Sequence, residues 1–383
     1  MNDLLIVGHG GCRTGYGRVL RSLARHLSAH TRLRYLTLGR PEPVPPGVTM
    51  VEPVQRGDLY GFASLPQVLR NHPTDTLLAC HDPTVLAGYA RIARRVAPAV
   101  RVVLYLPMEW QRLPEEVLDG LALANHIVCY TQTARSWLTG QWPAGRPTPP
   151  VSVIGHGVDR TAFRPLYSGP DPRRARSRRR ARQLLGIPDD QFLILNGNRD
   201  TPRKRLDLTL CAVAECARAL PSTHLVLVHG QHRRDEVARL GLTGRVTVPD
   251  HQPDDATLNL YYNAADVGLN TSAAEGWGLV SFEHAAAGAA QIVPDQPAAR
   301  EIWAGDAVTV PCHTVADPDP VPGYGEVDVA ACALALRQLG EDPGLRARWD
   351  GAASRVANRR DNDWAFLAHQ WLVPLAMPQA ATT

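Results

Sequence analysis

Lys204 is the only lysine in a chain of 383 residues with 41 basic side chains, forty of them arginines. A chain that uses arginine wherever charge alone suffices keeps one ammonium where a compact, rotatable donor is needed, because the planar guanidinium fork is not its equivalent. Lys204 stands in Asn198-Arg199-Asp200-Thr201-Pro202-Arg203-Lys204-Arg205, directly after the apolar run 192–195. A strand that runs into a cationic loop is where α/β proteins hold phosphates. A second concentration of chemistry lies at 261–288, where Glu275 and Glu283 flank Gly276-Trp277-Gly278-Leu279. The glycines let backbone approach a ligand, and the helix they open offers free N–H groups to an anionic oxygen. A glutamate inside that helix can accept hydrogen bonds from a ribose diol. Taken singly, Glu275 reads as a helix cap and Glu283 as a surface charge. Together with Lys204 they read as one site for phosphate and sugar.

These residues need a scaffold, and the hydrophobic pattern supplies it twice. Runs at 4–7, 33–38, 76–80, 102–106, 126–130 and 151–154 read as strands, with a helical pattern over 17–27 that is apolar at 19, 20, 23, 24 and 27. The pattern restarts at 192–195, 224–228, 245–248, 267–270 and 291–294, with helices such as 206–220 and 282–288 between. Short apolar strands alternating with helices imply parallel sheets covered on both faces. The expected fold is α/β, with two doubly wound Rossmann-like domains facing across a cleft, since ligands bind beyond the carboxyl ends of such strands. The expected division is 1–165, an Arg-rich linker or helix at 166–186, and 187–363. Arg173 to Arg182 has no interleaved aromatics and no apolar face, so it reads as a solvated helix rather than a nucleic-acid or membrane patch.

Composition sets the remaining bounds. Hydrophobic content of 44% and charged content of 20% are those of a globular protein, and the net charge of +4 is modest. At this length two domains are the default. Seven cysteines at 12, 80, 129, 211, 216, 312 and 332 have no zinc-ligand spacing and read as reduced cytoplasmic thiols. No run approaches the roughly 20 apolar residues that span a bilayer, and residues 1–7 carry no basic targeting region. The expectation is a soluble cytoplasmic protein.

At these motifs the chain resembles the retaining glycosyltransferases of the GT-B fold, family 4 (glycosyl transferases group 1). The Glu275/Glu283 pair with Gly-Trp-Gly-Leu between matches that family's best-known motif, and Asn198 to Arg205 matches its basic phosphate loop. Gly155-His156-Gly157-Val158-Asp159 with Phe163-Arg164-Pro165 matches its junction segment, and Tyr262 to Asp266 the stretch before the glutamates. Gly10-Gly11 and Thr14-Gly15-Tyr16-Gly17-Arg18 resemble its N-terminal glycine-rich loop. The resemblance implies that Arg199 and Lys204 clamp the diphosphate of a nucleotide sugar and stabilise the charge growing on it. It implies that Glu283 holds the ribose, that Glu275 orients the donor sugar, and that backbone N–H groups from Gly276, Trp277, Gly278 and Leu279 complete the cradle. Gly10 and Gly11 let the N-terminal domain close on the diphosphate. No metal and no cofactor are implied, and the DxD-like Asp317-Pro318-Asp319 reads as structural. Acceptor contacts fall to Tyr16, His81, Asp82, Glu109 and Trp110, with Glu109 nearest the chemistry, although His81-Asp82-Pro83 reads equally as a turn with a capping aspartate. A C-terminal helix, 364–383, is implied to cross back onto the N-terminal domain. One departure is clear: after 292–294 the family's Gly-Gly pair is replaced by Asp295-Gln296-Pro297.

The expected function is therefore transfer of a sugar from a nucleotide-diphosphate sugar, UDP first and GDP second, to a small polar or natural-product acceptor, with retention and without nucleic acid or membrane insertion. Two alternatives are a peripheral-membrane lipid glycosyltransferase and a non-catalytic nucleotide-sugar sensor or Arg-rich nucleic-acid binder. The nearly uncharged stretch 59–69 speaks against the first, and the presence of Glu275, Glu283 and Lys204 against the second.

Overall fold

A computed structural model describes residues 2–10, 14–39, 43–55, 57–109, 111–142, 145, 147–167, 173–314 and 325–377. The chain forms two compact units, Met1–Gly157 with Asp361–Thr383, and Val158–Arg360.

The first unit is built on seven parallel strands: β1 (Asp3–His9), β2 (Arg32–Leu38), β3 (Val48–Val51), β4 (Thr76–Cys80), β5 (Arg101–Leu106), β6 (His126–Cys129) and β7 (Val151–Val153). Their order is β3-β2-β1-β4-β5-β6-β7. Every residue of β4 is buried, as expected of a strand covered on both faces. Strand order reverses between β1 and β4, which opens a crevice at their carboxyl ends. Helix Gly15–Leu27 starts there, with Thr14 Oγ1 accepting from the Gly17 N–H at 3.0 Å, and buries Val19, Leu20, Leu23, Ala24 and Leu27.

The helix Trp364–Trp371 belongs to this unit. The rings of Trp371 and Tyr105 are 4.7 Å apart, and Arg101 Nε donates to the Pro374 carbonyl at 2.9 Å. Gly157 makes that packing possible: a Cβ there would lie 2.8–2.9 Å from the Trp364 ring and backbone nitrogen. Gly157→Ala is therefore expected to cost roughly 1–3 kcal/mol, as overpacking does, read as a lower melting temperature. An unchanged melting temperature would show that Trp364 gives way freely.

The second unit repeats the plan with β8 (Phe192–Asn196), β9 (Thr223–Leu227), β10 (Val246–Thr247), β11 (Val267–Leu269), β12 (Ala290–Pro294) and β13 (Val308–Val310). All are parallel, in the order β10-β9-β8-β11-β12-β13, and the reversal falls between β8 and β11. Residues 158–165 go with this unit rather than the first. Phe163 packs 5.5 Å from the Tyr262 ring, and the Arg164 N–H donates to Asn259 Oδ1 at 3.1 Å.

The Arg-rich segment is neither a linker nor a solvated helix throughout. Helix Arg173–Leu185 lies inside the second unit, and Arg174, Arg178 and Arg182, spaced i, i+4 and i+8, share one face. Arg182 is buried and donates to Asp266 Oδ2 at 2.7 Å and to the carbonyls of Ala264, Asp189 and Gln191 at 3.0, 2.8 and 3.0 Å. Arg178 Nη1 lies 3.1 Å from Asp266 Oδ1. Arg174 donates to the carbonyl of Asn263 at 3.0 Å and to that of Ala265. The carbonyls of Asn263, Ala264 and Ala265 end helix Asp255–Ala264 and would otherwise be orphaned. Only a guanidinium offers enough donors in one plane to serve so many acceptors. Arg176, Arg179 and Arg180 are exposed, as the sequence suggests.

Candidate active site

In the second unit the site grows from the two strands that flank the reversal. Asn196 ends β8; its Nδ2 donates to Thr209 Oγ1 at 2.8 Å, and its Oδ1 accepts from the Asn198 N–H at 2.9 Å. The basic loop follows, with a tight turn at Pro202–Lys204 and Arg205 in the left-handed region at φ 47°. That conformation costs a non-glycine residue roughly 1–2 kcal/mol. It is held by ion pairs from Arg205 to Asp207 and Glu326, and by Thr271 Oγ1 donating to the Arg205 carbonyl at 2.9 Å.

Asn270 follows β11 and ties the acidic loop to the basic one. Its Oδ1 accepts from Ser272 N–H at 3.0 Å, Ser272 Oγ at 2.7 Å and Asn198 Nδ2 at 3.3 Å, while its Nδ2 donates to Glu275 Oε1 at 3.3 Å. Between the loops, the Ala273 N–H donates to the Arg203 carbonyl at 2.8 Å, and Arg203 Nη1 to the Ala274 carbonyl at 2.5 Å. The result is an ion pair of Lys204 Nζ with Glu275 Oε1 at 2.5 Å, with Arg203 Nη1 3.5 Å from Oε2. The Lys204 and Glu275 side chains are 12% and 10% exposed, so solvent screens the pair little. Burial pushes the Glu275 carboxyl upward, but Lys204 and Arg203, with hydrogen bonds from Lys204 and Ser272, outweigh it and hold the group at about 2. Glu275 is ionised at neutral pH.

Glu275 is not a helix cap. Helix Leu279–Ala286 begins after Gly278, which has φ 85° and no capping side chain, so Gly276, Trp277, Gly278 and Leu279 bring backbone to the site. Its first-turn N–H groups are of the kind that take anionic oxygens. Glu283 is not a surface charge: it is 4% exposed inside that helix, and its Oε2 accepts from Tyr262 OH at 3.2 Å. Arg199 is exposed at the head of the basic loop. Burial foremost, and then Arg199, hold the nearby His229 imidazole below its ordinary range.

The first unit collects a second cluster at the ends of β1, β4 and β5. Tyr16, at the start of helix Gly15–Leu27, donates to Asp82 Oδ1 at 2.6 Å. The Tyr16 hydroxyl is raised well above its ordinary range, by burial first and then by the charges of Asp82 and Glu109. His81 packs against the rings of His9, Tyr16 and Tyr60 at 5.3, 5.3 and 5.6 Å. Asp82 occupies the cap position of helix Pro83–Val96 but makes no capping bond; its carboxylate is turned to Tyr16 instead. Gly10 is explained by close packing, since a Cβ there would meet Thr37 Cβ at 2.6 Å. Its N–H is engaged by the Leu38 carbonyl at 3.2 Å. Gly11, Trp110 and Asp317-Pro318-Asp319 lie outside the described residues.

Several supports of the site were not singled out from sequence: Asn198, Arg203, Asn270, Ser272 and Gln296. Gln296 stands where the family's glycine pair is missing. It is buried and donates from Nε2 to the carbonyls of Ser272 and Ala273 at 2.9 and 2.7 Å, bracing the loop that carries Glu275. The signal available for Asn198 and Asn270 was position, a polar residue just past each of the two strands flanking the reversal. Among the described residues no group of three or more His, Cys, Asp and Glu is placed to hold a metal, and no helix is long and apolar enough to cross a membrane.

Residues 177–355, most of the second unit, match the model of the family described as glycosyl transferases group 1. A D-inositol 3-phosphate glycosyltransferase of Segniliparus rotundus is 32% identical over 191 residues, 48% of this chain and 39% of that protein. The chain spans about half, or less, of the length of the first curated relatives it matches. Sucrose-phosphate synthase of Thermosynechococcus elongatus superposes with a TM-score of 0.75 at 17% identity, covering 97% of each chain. HepE of Anabaena, solved with UDP and glucose, superposes with a TM-score of 0.74 at 19% identity, covering 98% of this chain and 100% of that one. These two likenesses bear on fold alone. The family model lies over the unit that holds Lys204 and Glu275, so that unit is similar to the group 1 glycosyltransferases. The two Rossmann-like sheets in the doubly wound order, with the structural likenesses, give the chain the GT-B fold.

Proposed function

We propose that the chain is a retaining, metal-independent glycosyltransferase that moves a sugar from a nucleotide-diphosphate sugar to a small, polar, hydroxylated acceptor. The observation that carries this reading is the largely covered Lys204–Glu275 pair at the reversal of the second sheet. An ammonium has three donors, so Lys204 can hold Glu275 and still offer donors to a phosphate oxygen. Ionised Glu275 accepts from the donor sugar's hydroxyls and supports positive charge at the anomeric carbon. Arg199 and the N–H groups at the start of helix Leu279–Ala286 share the diphosphate, so the charge that builds on the leaving group meets preorganised donors. Glu283, with Tyr262 on its other oxygen, takes the ribose diol. The first unit supplies the acceptor site through Tyr16, His81, Asp82 and Glu109. The leaving phosphate itself takes the acceptor's proton during front-face attack.

UDP is the first choice of nucleotide and GDP the second. Curated relatives named for D-inositol 3-phosphate support a hydroxylated ring as acceptor. Calorimetric titration with UDP, GDP and their sugars, with and without chelator, tests the donor reading. One nucleotide is expected to bind equally well in both conditions, and Glu283→Ala to weaken that binding at least tenfold. Binding that needs a divalent cation would remove the metal-independent mechanism, and binding unaffected by Glu283→Ala would take the ribose from that residue.

A further inference from the structure

The cluster in the first unit has a chemical character that narrows the acceptor, an inference that rests on the glycosyltransferase reading. His81 is 3% exposed, and its Nδ1 accepts the backbone N–H of Asp82 at 2.8 Å. The ring nitrogen that accepts that bond carries no proton, so the 3.6 Å approach of the Asp82 carboxylate to Nδ1 is not an ion pair. Burial foremost, with His9 acting in the same direction against Asp82, brings the imidazole down to about 4 and so keeps it neutral at pH 7. The single ring proton therefore sits on Nε2, which is buried and has no partner among the described residues. An orphaned buried donor costs roughly 1–3 kcal/mol, and an arriving oxygen recovers that cost.

The same cluster carries carboxylates. The Asp82 side chain is 61% exposed, and only its Oδ1 is engaged, by Tyr16 at 2.6 Å. Glu109 adds a second negative charge that bears on Tyr16. Arg21, on the helix that begins with Tyr16, donates to the carbonyls of Gly10 and Pro43. Tyr60 lies edge-on to His81 and is 46% exposed, offering a ring to the C–H face of a ligand or to a cation. We propose that this end of the first unit takes a hydroxylated ring bearing a protonated amine, an amino sugar or aminocyclitol. His81 Nε2–H donates to a ring hydroxyl, Asp82 accepts from the ammonium, and Tyr60 covers the ring. A phosphate ester would bring its two negative charges against Asp82 and Glu109, a repulsion that selects against it.

The test is direct binding to the whole chain by saturation-transfer NMR, using glucosamine, N-acetylglucosamine and glucose 6-phosphate as probes. Glucosamine is expected to bind at least tenfold more tightly than either of the other two. Asp82→Asn keeps the size of the side chain and is expected to abolish that preference, and Tyr60→Ala to weaken all three. Equal binding, no binding, a preference for the phosphate, or a preference that survives Asp82→Asn would each overturn the inference. UDP titrated into the same samples separates the failures. Nucleotide binding without amine preference removes only the acceptor class, whereas loss of nucleotide binding removes the glycosyltransferase reading beneath it.

Discussion

Lys204→Ala is expected to lower kcat/KM for sugar transfer by 10²–10³-fold, the range seen when one preorganised charge-stabilising donor is removed. The mutation has two effects that reinforce each other. It withdraws an ammonium from the leaving diphosphate, and it leaves Glu275 with Arg203 at 3.5 Å as its remaining cationic contact. The carboxyl, held at about 2 in the intact pair against an ordinary 4.5, then rises. The stability consequence has a definite sign. A carboxyl with a depressed folded value stabilises the fold above its unfolded value and loses that contribution as pH falls through the folded one. The intact pair therefore contributes at neutral pH and fades between about 4.5 and 2, and a shift of this size corresponds to roughly 3 kcal/mol. In Lys204→Ala that acid-labile contribution shrinks, so the difference in stability between the two proteins should narrow from pH 7 to pH 3. Lys204→Arg keeps the charge but not its compactness and should recover only part of the activity. Wild-type turnover in Lys204→Ala would mean that the basic loop does not hold the leaving group.

Asp266→Ala should produce the largest loss of stability. Its carboxylate receives Arg182 at 2.7 Å, Arg178 at 3.1 Å and Arg346 at 3.7 Å, and also accepts the Leu193 N–H at 2.8 Å. Removing it strands several guanidiniums in a poorly solvated place and deprives the start of β8 of a backbone partner. Breaking a buried pair in this way costs about 3–5 kcal/mol. In a unit of this size each kcal/mol lowers the melting temperature by about 2–4 °C, so calorimetry should show a fall of roughly 6–20 °C. Asp266→Asn keeps a carbonyl oxygen for Leu193 and should fall less. A shift within a degree or two for Asp266→Ala would show that the arginines are held by the helix-end carbonyls without it.

The strands that bear the site were the easiest to read, because β4 and β8 are buried along their whole length and so appear as unbroken apolar runs. β3 and β13 were not read. Both are short edge strands, and in β3 Val48 and Val51 are only half-buried while Thr49 and Met50 are exposed. The inward arginines were misread for a related reason. Arg174, Arg178 and Arg182 alternate with exposed arginines, so the residue type that normally marks a solvated face conceals a buried stripe. Lys204 and Glu275 stood out in the sequence as a lone ammonium and a carboxylate in loops after strands, and the structure brings the two together, whereas the burial of Glu283 inside its helix was not legible from its type. Asn270 and Gln296 were not, since amides act here through backbone carbonyls and side-chain geometry that no spacing reveals.

The solitary lysine also shapes how the chain meets reagents and modifying enzymes. Acyl donors, aldehydes and amine-directed cross-linkers find no other lysine side chain, and this one is clasped by Glu275 and largely covered. Amine acylation of a side chain can fall only on the group proposed to face the diphosphate. Its rate becomes a readout of whether that group is free, and a nucleotide that engages Lys204 would protect the whole chain from lysine labelling.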